Sequence, residues 1–243
     1  MKIAFLTRHD PTNINCWSGT LYHMYHKLKE RHMVEIIGME ILPQFLFFTK
    51  DNFPTNFFIP ADRNIQLLGR LLSERINLLN YDLIFLGDIF FILSNIKIPY
   101  VLLSDMTYEQ NIIHYNKPDE RNIESCINLE KRILGNAFRI IYCSEWIKRK
   151  TIDYYQIDPR KIDVVEFGAN IPTPTNYAVE INMDICRLLF IGKDWERKGG
   201  DKMIQTYKIL KKGGFPCSLT IIGSGNNEID DDVEWYYRLS FFG

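Results

Sequence analysis

The chain has 243 residues, 29 Lys and Arg against 30 Asp and Glu, 46% hydrophobic and 14% aromatic residues. That composition can bury a sizeable core and excludes a disordered chain, a collagen and a coiled coil, while a net charge of −1 gives no global field to draw nucleic acid or an anionic membrane. Five scattered cysteines, with no Cys-x-x-Cys pair, signal neither a disulfide framework nor a zinc site, so a reducing cytoplasm is the expected compartment.

In chain order, short apolar runs alternate with amphipathic stretches, the pattern of βαβ units around a mostly parallel sheet. Strands are expected at 2–7, 34–39, 83–86, 100–104 and 139–143. The first run is too short for a signal peptide. The greasiest stretch, 83–93, is interrupted by Asp88 and is too short to span a bilayer, so no export or transmembrane anchor is expected. The first helix carries Leu21, Met24, Tyr25 and Leu28 at i, i+3, i+4, i+7, with Ser18 or Thr20 as its cap. Further helices are expected at 65–80, 122–134 and 145–155, with 44–60 an irregular insertion. After a strand at 162–166, the Gly-, Pro- and Asn-containing segment 167–182 fits no period and reads as a linker. A second α/β unit follows: a strand at 187–191, a charged glycine loop at 192–200, a helix at 201–212 ended by Gly213 and Gly214, and a strand at 218–222.

The loop Gly192-Lys193-Asp194-Trp195-Glu196-Arg197-Lys198-Gly199-Gly200 carries the most chemistry. A strand ending in glycine, three cations and a following helix direct backbone N–H groups, the helix dipole and full charges toward one place, which suits a phosphate or pyrophosphate. A solvated charged turn is the alternative. The loop is not a Walker A sequence, and no Gly-x-Gly-x-x-Gly follows the first strand, which disfavours a dinucleotide-dependent dehydrogenase. Asp105 ends a parallel strand, where such sheets place ligand groups; it could equally cap a helix. Ser18 and Gly19 fit either a ligand loop or a capped turn. His9, His23, His26 and His114 read as surface histidines and Asp230–Asp232 as a solvated acidic turn, so no metal site is expected.

The segment Ile191-Gly192 with Asp194-Trp195-Glu196-Arg197-Lys198-Gly199-Gly200 resembles the donor-binding loop of family 4 glycosyltransferases, retaining sugar transferases of GT-B fold. Other segments resemble the family in the same order: Trp17-Ser18-Gly19-Thr20 its N-terminal glycine loop, Ser104 to Tyr108 its cleft segment, and Cys143-Ser144-Glu145-Trp146 through Phe167-Gly168-Ala169-Asn170 its passage into the linker. The resemblance implies an α/β protein of GT-B type, with an acceptor-side Rossmann-like domain over 1–166, a linker over 167–186 and a nucleotide-sugar domain over 187–243. It implies a retaining hexosyltransferase of polysaccharide biosynthesis that moves a sugar from a nucleotide-diphosphate donor to a glycan or lipid-linked acceptor, without metal or other cofactor. Lys198 and Asp105 are the implied catalytic residues. Gly192, Lys193, Arg197 and Lys198 would hold the donor diphosphate, and Ser18, Gly19, Thr20 and Asp105 would line the acceptor side. Lys193 stands where many members have arginine, so Arg197 is the candidate for a planar fork.

The family's two glutamates separated by seven residues are absent, and the residues after 166 are too few for a complete doubly wound lobe of upwards of about 100. From 231 onward the sequence departs from the family pattern. The expectation is a C-terminally incomplete donor lobe with apolar sheet faces exposed, in a cytoplasmic protein with room for peripheral contact at the inner face of the membrane. Two rivals follow: a non-catalytic remnant or interaction subunit whose partner covers the incomplete lobe, and a nucleotide-sugar epimerase or phosphorylase of the same fold.

Overall fold

A strand buried on both faces needs apolar residues at consecutive positions, and Ile3, Ala4, Phe5 and Leu6 are each at most 2% exposed. They form β1 (Lys2–Leu6), which pairs in parallel with β2 (Met33–Ile37) on one side and β3 (Leu83–Leu86) on the other. The computed structural model describes residues 1–7, 9–38, 63–87, 93, 95–114, 120–171, 184–192, 194–223 and 233–236. Two compact units divide the chain, Met1–Thr173 and Pro174–Gly243.

In the first unit, β4 (Tyr100–Ser104), β5 (Arg139–Tyr142) and β6 (Ile162–Val164) complete a parallel sheet of order β2-β1-β3-β4-β5-β6. One face buries Ala4, Leu6, Ile84 and Leu102 against α2 (Arg63–Leu78), α4 (Glu120–Asn136) and α5 (Glu145–Tyr155). On the other face Ile3 and Phe5 pack with Leu21 and Tyr25 of α1 (Thr20–Lys29). The expected strands and long helices of this unit lie within about two residues of those observed, because each rests on an uninterrupted apolar period. The expected insertion at 44–60 lies outside the described residues.

Two expectations are corrected. Neither Ser18 nor Thr20 caps α1; its N-cap is Gly19 in the left-handed region at φ 81°, with no side-chain hydrogen bond. A further helix, α3 (Tyr108–His114), follows directly on Ser104–Thr107. At seven residues its apolar spacing is too brief to stand out, and its start is held by distant residues as well as by its local cap.

The second unit is β7 (Cys186–Gly192), α6 (Trp195–Lys198), α7 (Gly200–Lys212), β8 (Cys217–Gly223) and β9 (Val233–Tyr236), in a parallel sheet of order β7-β8-β9. Phe190, Tyr207, Leu219 and Ile221 form its core. β9 is a strand not expected from the sequence; Val233 to Tyr236 continue the sheet in register with Leu219 to Ile222. On the alternate face of β7, Leu189 and Ile191 are 54% and 63% exposed.

At the C-terminal end of this sheet Gly192 and Gly223 are register partners. Gly223 has φ +130°, and a Cβ there would lie 1.9 Å from the Gly192 carbonyl oxygen. Only glycine permits both the conformation and the approach. Gly223→Ala is therefore expected to destabilise the protein by roughly 2 kcal/mol or more, read as a lower urea midpoint and faster amide exchange in β7 and β8. Unchanged exchange there would show that the two backbones do not meet this closely.

Candidate functional site

In the first unit β1 connects toward β2 on one side while the remaining strands follow on the other, so the carboxyl end of β1 is a topological switch point, where open α/β sheets place ligands. The chain turns there through consecutive left-handed residues, Trp17 (φ 45°, ψ 44°), Ser18 (φ 54°, ψ 31°) and Gly19. For Trp17 and Ser18 this backbone costs of order 1 kcal/mol or more each. Contacts from the far side of the sheet hold it. Asn170 Nδ2 donates to the Ser18 carbonyl at 2.8 Å and to Thr20 Oγ1 at 3.1 Å. The Trp17 ring meets Phe167 edge-on at 5.8 Å, and its indole lies close enough to the Asp105 carboxyl to hold the carboxyl's pKa down.

Asp105 follows β4, in a turn where Ser104 Oγ bonds both the N–H and the carbonyl of Met106. It does not cap α3, a part taken by Thr107, whose Oγ1 accepts from Gln110 N at 3.4 Å. The Asp105 residue keeps an exposed edge, yet neighbouring atoms crowd its carboxyl enough that burial raises its pKa, against the opposing pull of a backbone N–H and the Trp17 indole. The Cys143 thiol, at the end of β5, is raised by burial first and then by the Asp105 charge, which places the two near each other. The first unit thus brings Ser18, Gly19, Thr20 and Asp105 to one edge of one sheet. Trp17, Phe167 and Asn170 complete the group; no local sequence signal marks them as partners, since they stand some 150 residues apart.

A cavity of about 850 Å³ in the same unit starts at Thr20, Phe167 and Asn170 and runs along α1 to Lys27 and Arg31. Its floor is apolar, with Phe85, Leu103 and Ile141 from three adjacent strands.

In the second unit the glycine loop is partly helical. Asp194 caps α6 by accepting from Arg197 N at 3.2 Å, and its other oxygen accepts from Arg197 Nε at 2.8 Å. That pairing holds the Asp194 carboxyl below its usual range. One edge of the Arg197 guanidinium is thus bound to the loop itself. Trp195 packs edge-on to Phe190 at 5.2 Å and lies so close to Gly200 that a Cβ there would be 2.2 Å from its ring; the indole N–H donates to Asp201 at 2.7 Å. These contacts seat the start of α7 against the end of β7. The Gly192 backbone is buried, with Lys198 Cβ 3.2 Å from where its own Cβ would stand, and the Lys198 side chain is exposed. Lys193 lies outside the described residues. Among the described residues no group of three His, Cys, Asp or Glu could hold a metal ion, and no helix is long and apolar enough to cross a membrane.

No protein-family model and no curated protein sequence matches the chain. Solved structures do match in fold. Sucrose-phosphate synthase from Thermosynechococcus elongatus is similar at 13% identity with a TM-score of 0.57, over 96% of this chain and 64% of that one. HepE of Anabaena, solved in complex with UDP and glucose, is similar at 15% identity and a TM-score of 0.56, over 98% of this chain and 70% of that one. A glycosyltransferase from Rickettsia africae is similar at 16% identity and a TM-score of 0.50, over 92% and 60% of the two chains. The fold is GT-B in part, and the chain spans between 60% and 70% of the length of these structures.

The Asn170 contacts generate a direct test of the strained turn. Asn170→Ala removes one hydrogen bond from the strained Ser18 and one from Thr20 at the start of α1, and is expected to cost about 1–2 kcal/mol in urea unfolding and to increase amide exchange at Thr20 and Leu21. A neutral substitution would mean that the turn stands without it.

Proposed function

We propose that the protein is a glycosyltransferase that takes a sugar from a nucleotide-diphosphate donor and passes it to a glycan or lipid-linked acceptor with retention at the anomeric carbon, as a family 4 hexosyltransferase would. The observation that carries the reading is the loop between β7 and α7, where the buried Gly192 backbone, the root of the Lys198 side chain and the start of a helix lie together. The fold likeness to glycosyltransferases, one of them solved with UDP and glucose, supports it.

In this reading the second unit holds the donor diphosphate. As the bond from the sugar carbon to the diphosphate oxygen breaks, negative charge grows on the leaving group, and Lys198, Lys193 and the outer edge of Arg197 stabilise that charge most in the transition state. Asp194 keeps Arg197 in place rather than competing for substrate, because its own oxygens are occupied by the helix start and by Nε. Fixed cations do the work a divalent metal does elsewhere, so none is required. In the first unit Asp105 accepts a hydrogen bond from the attacking acceptor hydroxyl, while Ser18, Gly19 and Thr20 let the acceptor approach the backbone closely. The apolar floor of the adjoining cavity suits the hydrocarbon part of a lipid-linked acceptor, with Lys27 and Arg31 near its phosphate. A cytoplasmic enzyme touching the membrane surface would meet such an acceptor there.

Calorimetry with a panel of nucleotide-diphosphate sugars tests the donor site. Lys198→Ala is expected to weaken donor binding about 10- to 100-fold and Lys198→Arg less, the size of one charge-assisted contact. Transfer is expected to survive chelation of divalent cations. A folded protein with no measurable affinity for any donor, or affinity indifferent to Lys198, would sink the assignment.

A further inference from the structure

The first amides of an α-helix have no partner within the helix, and in α3 a buried carboxylate on another helix supplies the acceptor. Glu130 of α4 is 3% exposed, and its two oxygens accept the Tyr108 N–H at 2.9 Å each. It also accepts the hydroxyl of Tyr155, on α5. That hydroxyl in turn accepts the Glu109 N–H at 3.3 Å, and Thr107 Oγ1 takes the Gln110 N–H. All three leading amides of α3 are thus engaged, two of them through one buried glutamate.

Burial of a carboxyl is costly unless it is hydrogen-bonded, and here those bonds fix the helix that begins three residues after Asp105. The Ser104–Met106 turn leaves little slack between β4 and α3. We propose that Glu130 is a positioning residue: by clamping the start of α3 to α4 and α5, it sets the placement of Asp105 against the Trp17 indole, and with it the acceptor side of the site. The proposal rests on the glycosyl-transfer reading for the purpose of that placement, though the clamp itself does not.

Burial pushes the Glu130 carboxyl up to about 7, against the lowering effect of the Tyr155 hydroxyl and the Tyr108 amide, with the Glu109 charge raising it further. The groups facing it are Tyr108 and Glu109 on α3, Cys126 on α4, Tyr154 and Tyr155 on α5 and Tyr142 on β5. Since the carboxyl's ordinary value is 4.5, the folded protein holds a proton in the window from there to 7 that the unfolded chain has lost. The stability linked to that proton is fully present below the lower value and is lost as pH rises through the upper one.

Amide exchange and the Trp17 indole resonance, followed by NMR in the full chain, test the clamp in Glu130→Gln and Tyr155→Phe. Glu130→Gln is expected to speed exchange at Tyr108 and Glu109 by about tenfold or more, to shift the Trp17 indole, and to flatten the fall of stability between pH 4.5 and 7. Phe5 and Leu102 should keep their protection. Tyr155→Phe is expected to release Glu109 while Tyr108 stays protected, and this variant retains the clamp should Glu130→Gln fold poorly. Unchanged exchange at Tyr108, equal loss of protection across the sheet in both variants, or an open α3 with an unmoved Trp17 indole would each overturn the proposal. In active protein, Glu130→Gln should raise KM for the acceptor while donor affinity stays the same. A protein whose α3 amides and Trp17 indole respond as expected, but which transfers no sugar, keeps the clamp and loses only the glycosyl-transfer reading.

Discussion

Parallel pairing of β1 on both sides is the constraint from which the first unit follows. A strand with no open edge and no wet face must be apolar at every position, as Ile3 to Leu6 are. Parallel neighbours can be reached only by crossovers, which bring every strand's carboxyl end to the same rim. The turn of Trp17 to Gly19, the Asp105 segment, Cys143 and the Phe167–Asn170 segment therefore share that rim although they are far apart in sequence. A residue at the end of any one strand is within reach of the others without a dedicated motif.

The rim is held by contacts that each do a specific job. Asn170 and Phe167 reach back to a turn whose backbone is unfavourable by itself, the Trp17 indole joins that turn to Asp105, and Glu130 fixes the helix that follows. Strain and buried charge are both unfavourable in isolation and persist where the surroundings over-determine them. Finding both around one rim distinguishes it from a surface loop. In the second unit the same role falls to close packing: the Gly192–Gly223 approach and the stacking of Trp195 over Gly200 leave no room for side chains at those glycines.

Much of the framework is legible in the sequence for a physical reason. Ile3-Ala4-Phe5-Leu6 and the i, i+3, i+4, i+7 spacing of Leu21 to Leu28 are local patterns that burial imposes directly. What is not legible depends on partners remote in sequence. α3 is too short to declare itself, and its amides are satisfied by Glu130 and Tyr155, 22 and 46 residues away. The start of α1 looks like a Ser or Thr cap, but tertiary contacts with Asn170 force the left-handed path that makes Gly19 the cap. β9 is built of strand-forming residues but at four residues is too short to declare itself until β8 supplies a neighbour. Of the candidate site, Asp105 and the two glycine loops are visible because strand ends and glycines are visible, whereas Trp17, Phe167, Asn170 and Glu130 acquire meaning only when the sheet assembles them.

The role proposed for the β7–α7 loop is to receive the diphosphate of a nucleotide sugar. Its most direct test is to titrate the labelled protein with nucleotide-diphosphate sugars and follow every backbone amide by NMR. Saturable shifts are expected at Gly192, Lys198, Gly199 and Gly200, larger for the diphosphate sugar than for the free sugar. Shifts that never saturate, or that saturate elsewhere and leave these four amides unmoved, would contradict it.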